Sequence, residues 1–204
     1  MLFKEQRNIL QIEKLLKKTL MMRFMATIKI QNFKIGFTDK LFFDTNIWLL
    51  LYGTIADFQA KEQKFYTNFF ETSLQKGTPI FLTTMVISEF SNVLLRRDFK
   101  QWVSINKLTN QDFKKNFVGT TTYRESVETI TFALNKILKL PNIVLVGDNF
   151  NAINKVEILN NFKFIDFNDS YFAQLAFMNN YKIVTHDKDF QMLDKHIDII
   201  TANI

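Results

Sequence analysis

Short apolar runs alternate with longer amphipathic stretches along most of the chain, and this alternation restricts the fold more than any single motif. The apolar runs have the length and composition of β-strands, and the segments between them have apolar residues at helical spacing. The predicted strands are residues 40–43, 80–83, 143–146, 182–185 and 197–200. The predicted helices are at about residues 47–75, 85–99, 109–140, 151–160 and 169–179. Strands that alternate with helices are typical of an α/β domain with a mainly parallel sheet.

Composition places the chain among core-forming globular proteins and removes several classes of function. Of the 204 residues, 47% are hydrophobic and 23% are charged, a balance unlike that of disordered or collagen-like chains. The absence of cysteine excludes disulfide scaffolds, thiol catalysis, iron–sulfur clusters and cysteine-ligated zinc. The two histidines, His186 and His196, are too few for a three-histidine metal site. A net charge of +6 favours polyanionic partners, mainly nucleic acid or an anionic membrane surface.

The first part of the chain follows a different pattern from the rest. Residues 1–24 have apolar side chains at helical spacing among many basic ones, which predicts a basic amphipathic helix. We assign residues 1–37 to an N-terminal helical extension and residues 38–204 to one domain, with a helical insert around 109–140. The sequence has neither a signal-peptide pattern nor an apolar stretch of membrane-spanning length. We therefore expect a soluble, cytoplasmic protein with no membrane partner.

Two of the predicted strands are followed by an aspartate. Asp44 comes directly after the strand at 40–43, and Asp187 follows the strand at 182–185. Ligands of parallel α/β sheets bind outside the carboxyl ends of the strands, so these two acids are expected to face one crevice. Taken alone, each aspartate is also an ordinary turn or helix N-cap residue.

Two further acids lie on predicted helices. Glu89 lies just outside the apolar stripe of its helix, where a carboxylate needs a partner, and either a metal ion or Arg96 would serve. Asp169 lies at the start of the helix at 169–179, where an aspartate also acts as an N-cap or interacts favourably with the helix dipole. Each position by itself is therefore compatible with a purely structural role.

The order of these acids resembles the PIN-domain nuclease family, the fold of many toxin–antitoxin ribonucleases. That family opens with a strand followed by Asp-Thr-Asn, which is here Asp44-Thr45-Asn46. It carries an acid in the helix after the second strand, which is here Glu89.

The second half of the resemblance lies near the C-terminus. An aspartate opens an alanine-containing helix, here Asp169, and a Thr-x-Asp motif follows a strand, here Thr185-His186-Asp187. The resemblance covers about residues 38–204. It implies a PIN-like three-layer α/β/α domain with a mainly parallel central sheet.

The resemblance also implies the residues of a metal-dependent active site. The implied catalytic residues, which are also the ligands of Mg²⁺ or Mn²⁺, are Asp44, Glu89, Asp169 and Asp187. The residues implied to support them by hydrogen bonds or as accessory groups are Asn46, Thr185 and Asp189, with Asp166 as a further candidate.

The chemistry of phosphodiester hydrolysis independently favours a cluster of carboxylates. The reaction needs a water activated near neutral pH and charge neutralised on the phosphoryl oxygens, and Mg²⁺ or Mn²⁺ supplies both. These hard ions prefer carboxylate oxygen to nitrogen or sulfur ligands. Carboxylates packed together repel one another, and some of their pKa values rise until a cation binds. Together with this chemistry, the resemblance implies hydrolysis of RNA by metal-activated water, without a covalent protein–phosphate intermediate.

Basic residues at the end of the Glu89 helix are candidates for binding RNA phosphates. They are Arg96, Arg97 and Lys100. A plain solvated helix end is an equally good interpretation of Arg96 and Arg97. Besides an RNA substrate, the resemblance implies a cognate antitoxin protein and a second copy of the chain in a homodimer as partners.

Two other functions remain open at this point. A haloacid-dehalogenase-type phosphatase also has an aspartate after a hydrophobic strand, and the sequence around Asp148 resembles its late acidic loop. That family requires a second acid where this chain has Asn46, and it leaves Asp169 and Asp187 without a role. The other alternative is a non-catalytic α/β scaffold that binds RNA or protein through its basic surface. Weak or absent metal affinity would favour the scaffold.

Overall fold

The computed structural model describes residues 26–53, 60–193 and 197–204, and its centre is a six-stranded β-sheet. In chain order the strands are β1 (Thr27–Lys29), β2 (Leu41–Phe43), β3 (Ile80–Thr83), β4 (Ile143–Val146), β5 (Lys182–Val184) and β6 (Asp198–Thr201). Their order across the sheet is β1-β6-β5-β2-β3-β4, and all neighbouring pairs run parallel. The prediction of an α/β fold with a parallel sheet is confirmed.

Helices connect β2 to β3, β3 to β4 and β4 to β5, as crossovers between parallel strands require. They are α1 (Thr45–Tyr52), α2 (Ala60–Gln75), α3 (Thr84–Ile105), α4 (Thr121–Leu138), α5 (Lys155–Asn161) and α6 (Phe167–Asn179), with a π-helix at Phe113–Phe117 and a 3-10 helix at Asp189–Leu193. Within the described ranges, none of the helices combines the length and apolar character needed to cross a bilayer.

The central strand β2 shows why the domain has three layers. Successive side chains of a strand point to opposite faces of the sheet. Phe42 packs against Phe172 of α6, with 5.1 Å between ring centroids. Its neighbour Phe43 packs on the other side against Phe69 and Phe70 of α2, at 6.3 and 6.1 Å. Helices therefore cover both faces of the sheet, which confirms the α/β/α arrangement.

The strand order creates a crevice at the carboxyl end of β2. This strand lies between β3 and β5, so the chain leaves β2 towards one neighbour and returns to the other neighbour much later. The register pairs Leu41 with both Ile80 and Lys182, and Phe43 with Val184, so the strands end almost level with one another. Residues that follow these strands therefore meet at one edge, at the kind of topological switch where α/β proteins bind ligands.

Helix boundaries follow from local chemistry. Thr83 is the N-cap of α3, and its hydroxyl accepts a hydrogen bond from the Val86 amide (3.4 Å). The sequence Gly77-Thr78-Pro79 predicts a break after the helical region at 47–75, and in the structure Gly77 follows α2 at a φ of 63°, a conformation that glycine adopts without steric cost. Helix α6 ends at Asn180 in the left-handed region, where asparagine is better tolerated than most residues.

Strand β1 was missed by the sequence analysis, which placed its residues in the helical extension. Thr27, Ile28 and Lys29 pair in register with β6, so the sheet begins upstream of the predicted boundary at residue 38. The strand has three residues, lies at the edge of the sheet and is partly exposed, so it has little of the apolar signal that marks a buried strand. The helix predicted over residues 1–24 lies outside the described residues.

Two other predicted segments differ from the structure in detail. The helical region 47–75 consists of α1 and α2, with residues 54–59 between them outside the described part of the chain. The sequence also predicts a short extended piece at residues 164–166, ahead of the helix at 169–179, but these residues are part of the turn before α6.

The helical region predicted around residues 109–140 contains the π-helix and α4. It packs against α3 through an aromatic cluster. The members of that cluster are Phe99, Trp102, Phe113, Phe117 and Tyr123.

Candidate active site

Asp44 occupies the first position after β2 and is the N-cap of α1. Its amide donates to the Val184 carbonyl (3.0 Å), which fixes it beside the end of β5. Its Oδ1 accepts a hydrogen bond from the Thr45 amide (2.6 Å), so the capping role considered from the sequence is real. The residue is only 5% exposed. Capping uses the Oδ1 oxygen of the carboxylate, so Oδ2 is available for contacts with other residues.

Thr185 and Asn46 hold that second oxygen. Thr185 Oγ1 and Asn46 Nδ2 both donate to Asp44 Oδ2, at 2.8 and 2.5 Å. Asn46 also donates to Thr185 Oγ1 (3.0 Å), and its Oδ1 accepts from the His186 amide (3.1 Å). These contacts join the Asp-Thr-Asn and Thr-x-Asp motifs into one hydrogen-bonded unit, although Asn46 and Thr185 are 139 residues apart in the sequence.

Glu89 lies on α3, which starts directly after β3. Its Oε2 accepts hydrogen bonds from Thr45 Oγ1 (3.0 Å) and from Asn168 Nδ2 (3.2 Å). These contacts connect α3 to α1 and to the start of α6. Arg96, the alternative partner considered from the sequence, instead places its guanidinium over the Phe113 ring, 4.1 Å from the ring centroid.

Asp169 lies in the first turn of α6, but it is not the cap. Asp166 is the N-cap, and its Oδ1 accepts a hydrogen bond from the Asp169 amide (2.9 Å). The N-cap role that the sequence allowed for Asp169 therefore belongs to Asp166. Asp169 is 8% exposed, so its carboxyl group is buried without having a capping function.

Asp187 follows β5 by three residues and is half-buried. Its amide donates to Thr185 Oγ1 (3.0 Å), and its own Oδ1 accepts from the Asp189 amide (2.9 Å). The Asp189 side chain is exposed at the start of the 3-10 helix. Asp189 therefore supports Asp187 through its backbone rather than through its carboxylate.

We call Asp44, Glu89, Asp169 and Asp187 the acidic cluster, because the charges of its members contribute to the raised pKa values of Asp44 and Asp169. Burial raises the pKa of Asp44 to about 7; the Thr185 hydrogen bond opposes this rise, and the charges of Glu89 and Asp187 add to it. Burial raises the pKa of Asp169 to about 9, with further contributions from Asp44, Asp166, Asp187 and Glu89. The cluster is therefore poorly stabilised while it lacks a cation.

The comparison with known families agrees with this geometry. A family model described as PIN domain matches residues 41–196, which includes every member of the acidic cluster. The chain belongs to the PIN domain family. Among curated proteins, the sequence has no significant match. Because PIN domains are generally nucleases, the haloacid-dehalogenase-type phosphatase is no longer a competing interpretation.

Two solved structures are similar to this PIN domain. One is the crystal structure of PAE2754 from Pyrobaculum aerophilum, with 13% identity and a TM-score of 0.46 over 83% of this chain and 88% of that chain. The other is the crystal structure of VapBC2 from Rickettsia felis bound to a DNA fragment from their promoter, with 14% identity and a TM-score of 0.46 over 79% of this chain and 98% of that chain.

The acidic cluster has the donor chemistry of a divalent metal site. PIN nucleases generally use divalent metal ions, and four carboxylates at one sheet edge suit hard ions such as Mg²⁺ or Mn²⁺. Within the described part of the chain, no group of three or more histidine, aspartate or glutamate side chains is arranged to hold an ion as it stands.

The basic residues of α3 in this PIN domain differ in their contacts. Arg96 and Lys100 have exposed side chains. Arg97 donates from its NH1 group to the Gly53 carbonyl (2.7 Å) and pairs with Asp98 (2.8 Å). Arg97 thus ties α3 to the end of α1, whereas Arg96 and Lys100 face solvent.

Sequence analysis missed three contributors to the site. Asn168 donates to Glu89 Oε2, and its position beside Asp169 was a signal that it lies nearby. Tyr66 on α2 donates to the Thr185 carbonyl (2.9 Å). The ring of His186 lies between Tyr66 and Glu62. Nothing in the order of residues along the chain indicates that α2 reaches this edge of the sheet.

Proposed function

We propose that this PIN domain is a metal-dependent endoribonuclease that hydrolyses RNA phosphodiester bonds. One observation carries the proposal: Asp44 and Asp169 are buried beside two further carboxylates. The pKa of Asp44 is raised to about 7 and that of Asp169 to about 9. Four acids that repel one another at a ligand-binding edge are unfavourable as an empty structural feature. Their arrangement becomes favourable when a cation binds among them.

In this proposal the acidic cluster holds Mg²⁺ or Mn²⁺, which when bound would activate water and neutralise charge on the phosphoryl oxygens. The surrounding residues of the chain orient the ligands. Thr185 and Asn46 hold Asp44, and their hydrogen bonds favour its charged form. Thr45 and Asn168 orient Glu89 by donating hydrogen bonds to its Oε2. Supporting contacts of this kind typically contribute about 10–100-fold to metal affinity or activity.

RNA binding in this proposal draws on the positive charge of the chain. The net charge is +6, and the exposed Arg96 and Lys100 are suited to contact phosphates that flank the scissile bond. Arg97 contributes indirectly, through its contact with the end of α1. The resemblance to toxin ribonucleases extends the proposal to a cytoplasmic toxin that forms a homodimer and is inhibited by a cognate antitoxin protein.

The test is cleavage of a labelled single-stranded RNA with Mg²⁺ or Mn²⁺ by the wild type and by two matched variants. Asp44→Asn keeps a helix-capping side chain but removes a charge from the acidic cluster. We expect it to lower kcat by more than about 100-fold, since even residues that only support metal ligands contribute about 10–100-fold. Asp112→Asn is the control, because Asp112 is also an N-cap, of the π-helix, and is exposed away from the acidic cluster.

The outcomes separate the possible functions. Metal-dependent cleavage that is lost with EDTA and in Asp44→Asn, but kept in Asp112→Asn, supports the nuclease. Full activity of Asp44→Asn contradicts the assignment of the site. Absence of both cleavage and metal binding, measured by calorimetry, favours the non-catalytic scaffold. Metal binding without cleavage means that the site is correct and the substrate is wrong.

A further inference from the structure

The Tyr66 hydroxyl lies at a junction between α2, the end of β5 and the end of β6. Tyr66 is 1% exposed, and its ring is part of the core. The hydroxyl donates to the Thr185 carbonyl (2.9 Å) and accepts from the Ala202 amide (2.9 Å). It also lies 3.3 Å from Thr201 Oγ1 and 3.3 Å from His186 Nδ1. A single phenol oxygen therefore connects three elements that are far apart in the sequence.

Tyr66 holds the backbone of Thr185, the residue whose side chain positions Asp44. On one side, the Thr185 carbonyl receives the Tyr66 hydroxyl. On the other side, Thr185 Oγ1 donates to Asp44 Oδ2 (2.8 Å) and receives the Asp187 amide (3.0 Å). Thr185 is fully buried, so its orientation is set by these partners and not by solvent. A shift of the Thr185 carbonyl would therefore move the hydroxyl that connects Asp44 to Asp187.

The turn beyond Thr185 is held from the same direction. The His186 ring stands edge-on to the Tyr66 ring, at 5.8 Å and 87°, and its Nε2 lies 3.3 Å from Glu62 Oε2 on α2. The His186 carbonyl accepts from Asn203 Nδ2 (2.9 Å), and its amide donates to Asn46 Oδ1 (3.1 Å). Helix α2 and the C-terminal segment together fix the backbone from which Asp187 projects.

We propose that Tyr66 is a positioning residue of the acidic cluster, which acts through Thr185 to fix the distance between Asp44 and Asp187. This inference rests on the proposed function, because the cluster matters only if it binds a metal ion. Tyr66 does not touch that site itself. Its effect is indirect and passes through one peptide group, and this makes the role separable from a general contribution to folding.

The test measures Mn²⁺ affinity by calorimetry in the wild type and in Tyr66→Phe, in the absence of RNA. Tyr66→Phe removes one oxygen and keeps the ring, so we expect a folded protein whose Mn²⁺ affinity is lower by about 10-fold or more. Tyr171→Phe is the matched control. Tyr171 is also 1% exposed and its hydroxyl also donates to a backbone carbonyl, that of Asp148, which lies outside the acidic cluster. The control should lose a similar amount of stability but keep Mn²⁺ affinity within about twofold.

A double-mutant cycle tests whether Tyr66 acts through Thr185. Thr185→Val removes the hydroxyl that holds Asp44 but keeps the shape of the side chain. If the Tyr66 effect passes through this hydroxyl, Tyr66→Phe lowers Mn²⁺ affinity in the wild type and causes no further loss in Thr185→Val. Equal losses in both backgrounds would overturn the proposed route.

The two proposals fail in different ways. A Tyr66→Phe variant that binds Mn²⁺ as tightly as Tyr171→Phe overturns the positioning role and leaves the nuclease intact. A wild-type protein that does not bind Mn²⁺ overturns the metal site itself and the positioning role with it. Circular dichroism of each variant at the temperature of the measurement establishes that the compared proteins are folded.

Discussion

Asp44 and Asp169 have pKa values above the value of 3.8 expected for an unfolded aspartate. Between pH 4 and about 7 for Asp44, and up to about 9 for Asp169, the folded chain binds more protons than the unfolded chain. The free energy of unfolding therefore decreases as the pH rises through these windows. Well below pH 3.8 both groups are protonated in either state, and this loss of stability is absent.

Replacing Asp169 by asparagine should therefore stabilise the metal-free protein at high pH. We expect Asp169→Asn to raise the free energy of unfolding by on the order of 1–3 kcal/mol at pH 8 and to change it little at pH 4.5. Urea denaturation in EDTA at both pH values measures the difference. The same variant should lose nuclease activity, because it removes a member of the acidic cluster.

Asp189→Asn is the control for this measurement, since Asp189 is an exposed aspartate near the same turn. Its free energy of unfolding should follow the wild-type dependence on pH. If Asp169→Asn loses stability between pH 4.5 and pH 8 as steeply as the wild type does, ionisation of the buried Asp169 is not what opposes folding there.

At the scale of secondary structure elements, helix α6 begins with two aspartates that have different roles. Asp166 caps the helix from an exposed position, and the buried Asp169 lies one turn later. The charge of Asp166 also contributes to the raised pKa of Asp169, so the cap has an electrostatic cost as well as a benefit. The two effects are separable, because asparagine caps helices about as well as aspartate.

Asp166→Ala should lower the free energy of unfolding by about 1 kcal/mol, the usual cost of losing an N-cap. Asp166→Asn keeps the cap and removes the charge, so its stability should equal or exceed that of the wild type at pH 8. Thermal denaturation of both variants, followed by circular dichroism, tests the difference. Equal destabilisation by Ala and Asn would mean that the Asp166 charge, and not the cap, stabilises α6.

Elements with a strong local signal were predictable, and those that depend on distant partners were not. β2 and β3 were found because each is a short, mostly apolar run that leads into a segment with helical spacing. β1 was missed because three partly exposed residues become a strand only by pairing with β6 at the other end of the chain.

The same distinction applies to the candidate site. Asp44 directly follows a strand, Asp187 lies shortly after one and Asp169 lies in a first helical turn, so sequence order predicts that they meet. Glu89 lies one turn into the helix that follows β3, and its charge contributes to the raised pKa values of Asp44 and Asp169. Tyr66 lies 119 residues from Thr185, and its role depends on how α2 packs on the sheet. A residue that acts only through tertiary packing leaves no periodic pattern in the sequence.

At the scale of the whole molecule, the two ends of the sheet have opposite charge arrangements. The carboxyl end holds the acidic cluster, whose members repel one another. At the amino end of β5, Lys182 forms a salt bridge with Asp198 and lies 3.9 Å from Asp39 Oδ1. Lys182 and Asp198 are both 8% exposed. The amino end of the sheet therefore has a buried pair of opposite charges. Breaking this salt bridge should lower the stability of the fold without affecting the acidic cluster.

Lys182→Met should be strongly destabilising, because it removes the ammonium group that forms a buried salt bridge with Asp198. We expect a loss of about 3 kcal/mol or more in the free energy of unfolding, measured by urea denaturation at pH 7. Lys40→Met is the control, since Lys40 is exposed near the same end of the sheet.

Mn²⁺ affinity and kcat of the folded Lys182→Met protein should match the wild type, because the substitution lies at the opposite end from the acidic cluster. A loss of Mn²⁺ affinity in the folded variant would show that the two ends of the sheet are coupled, and equal stabilities of the two variants would show that the buried pair does not stabilise the fold.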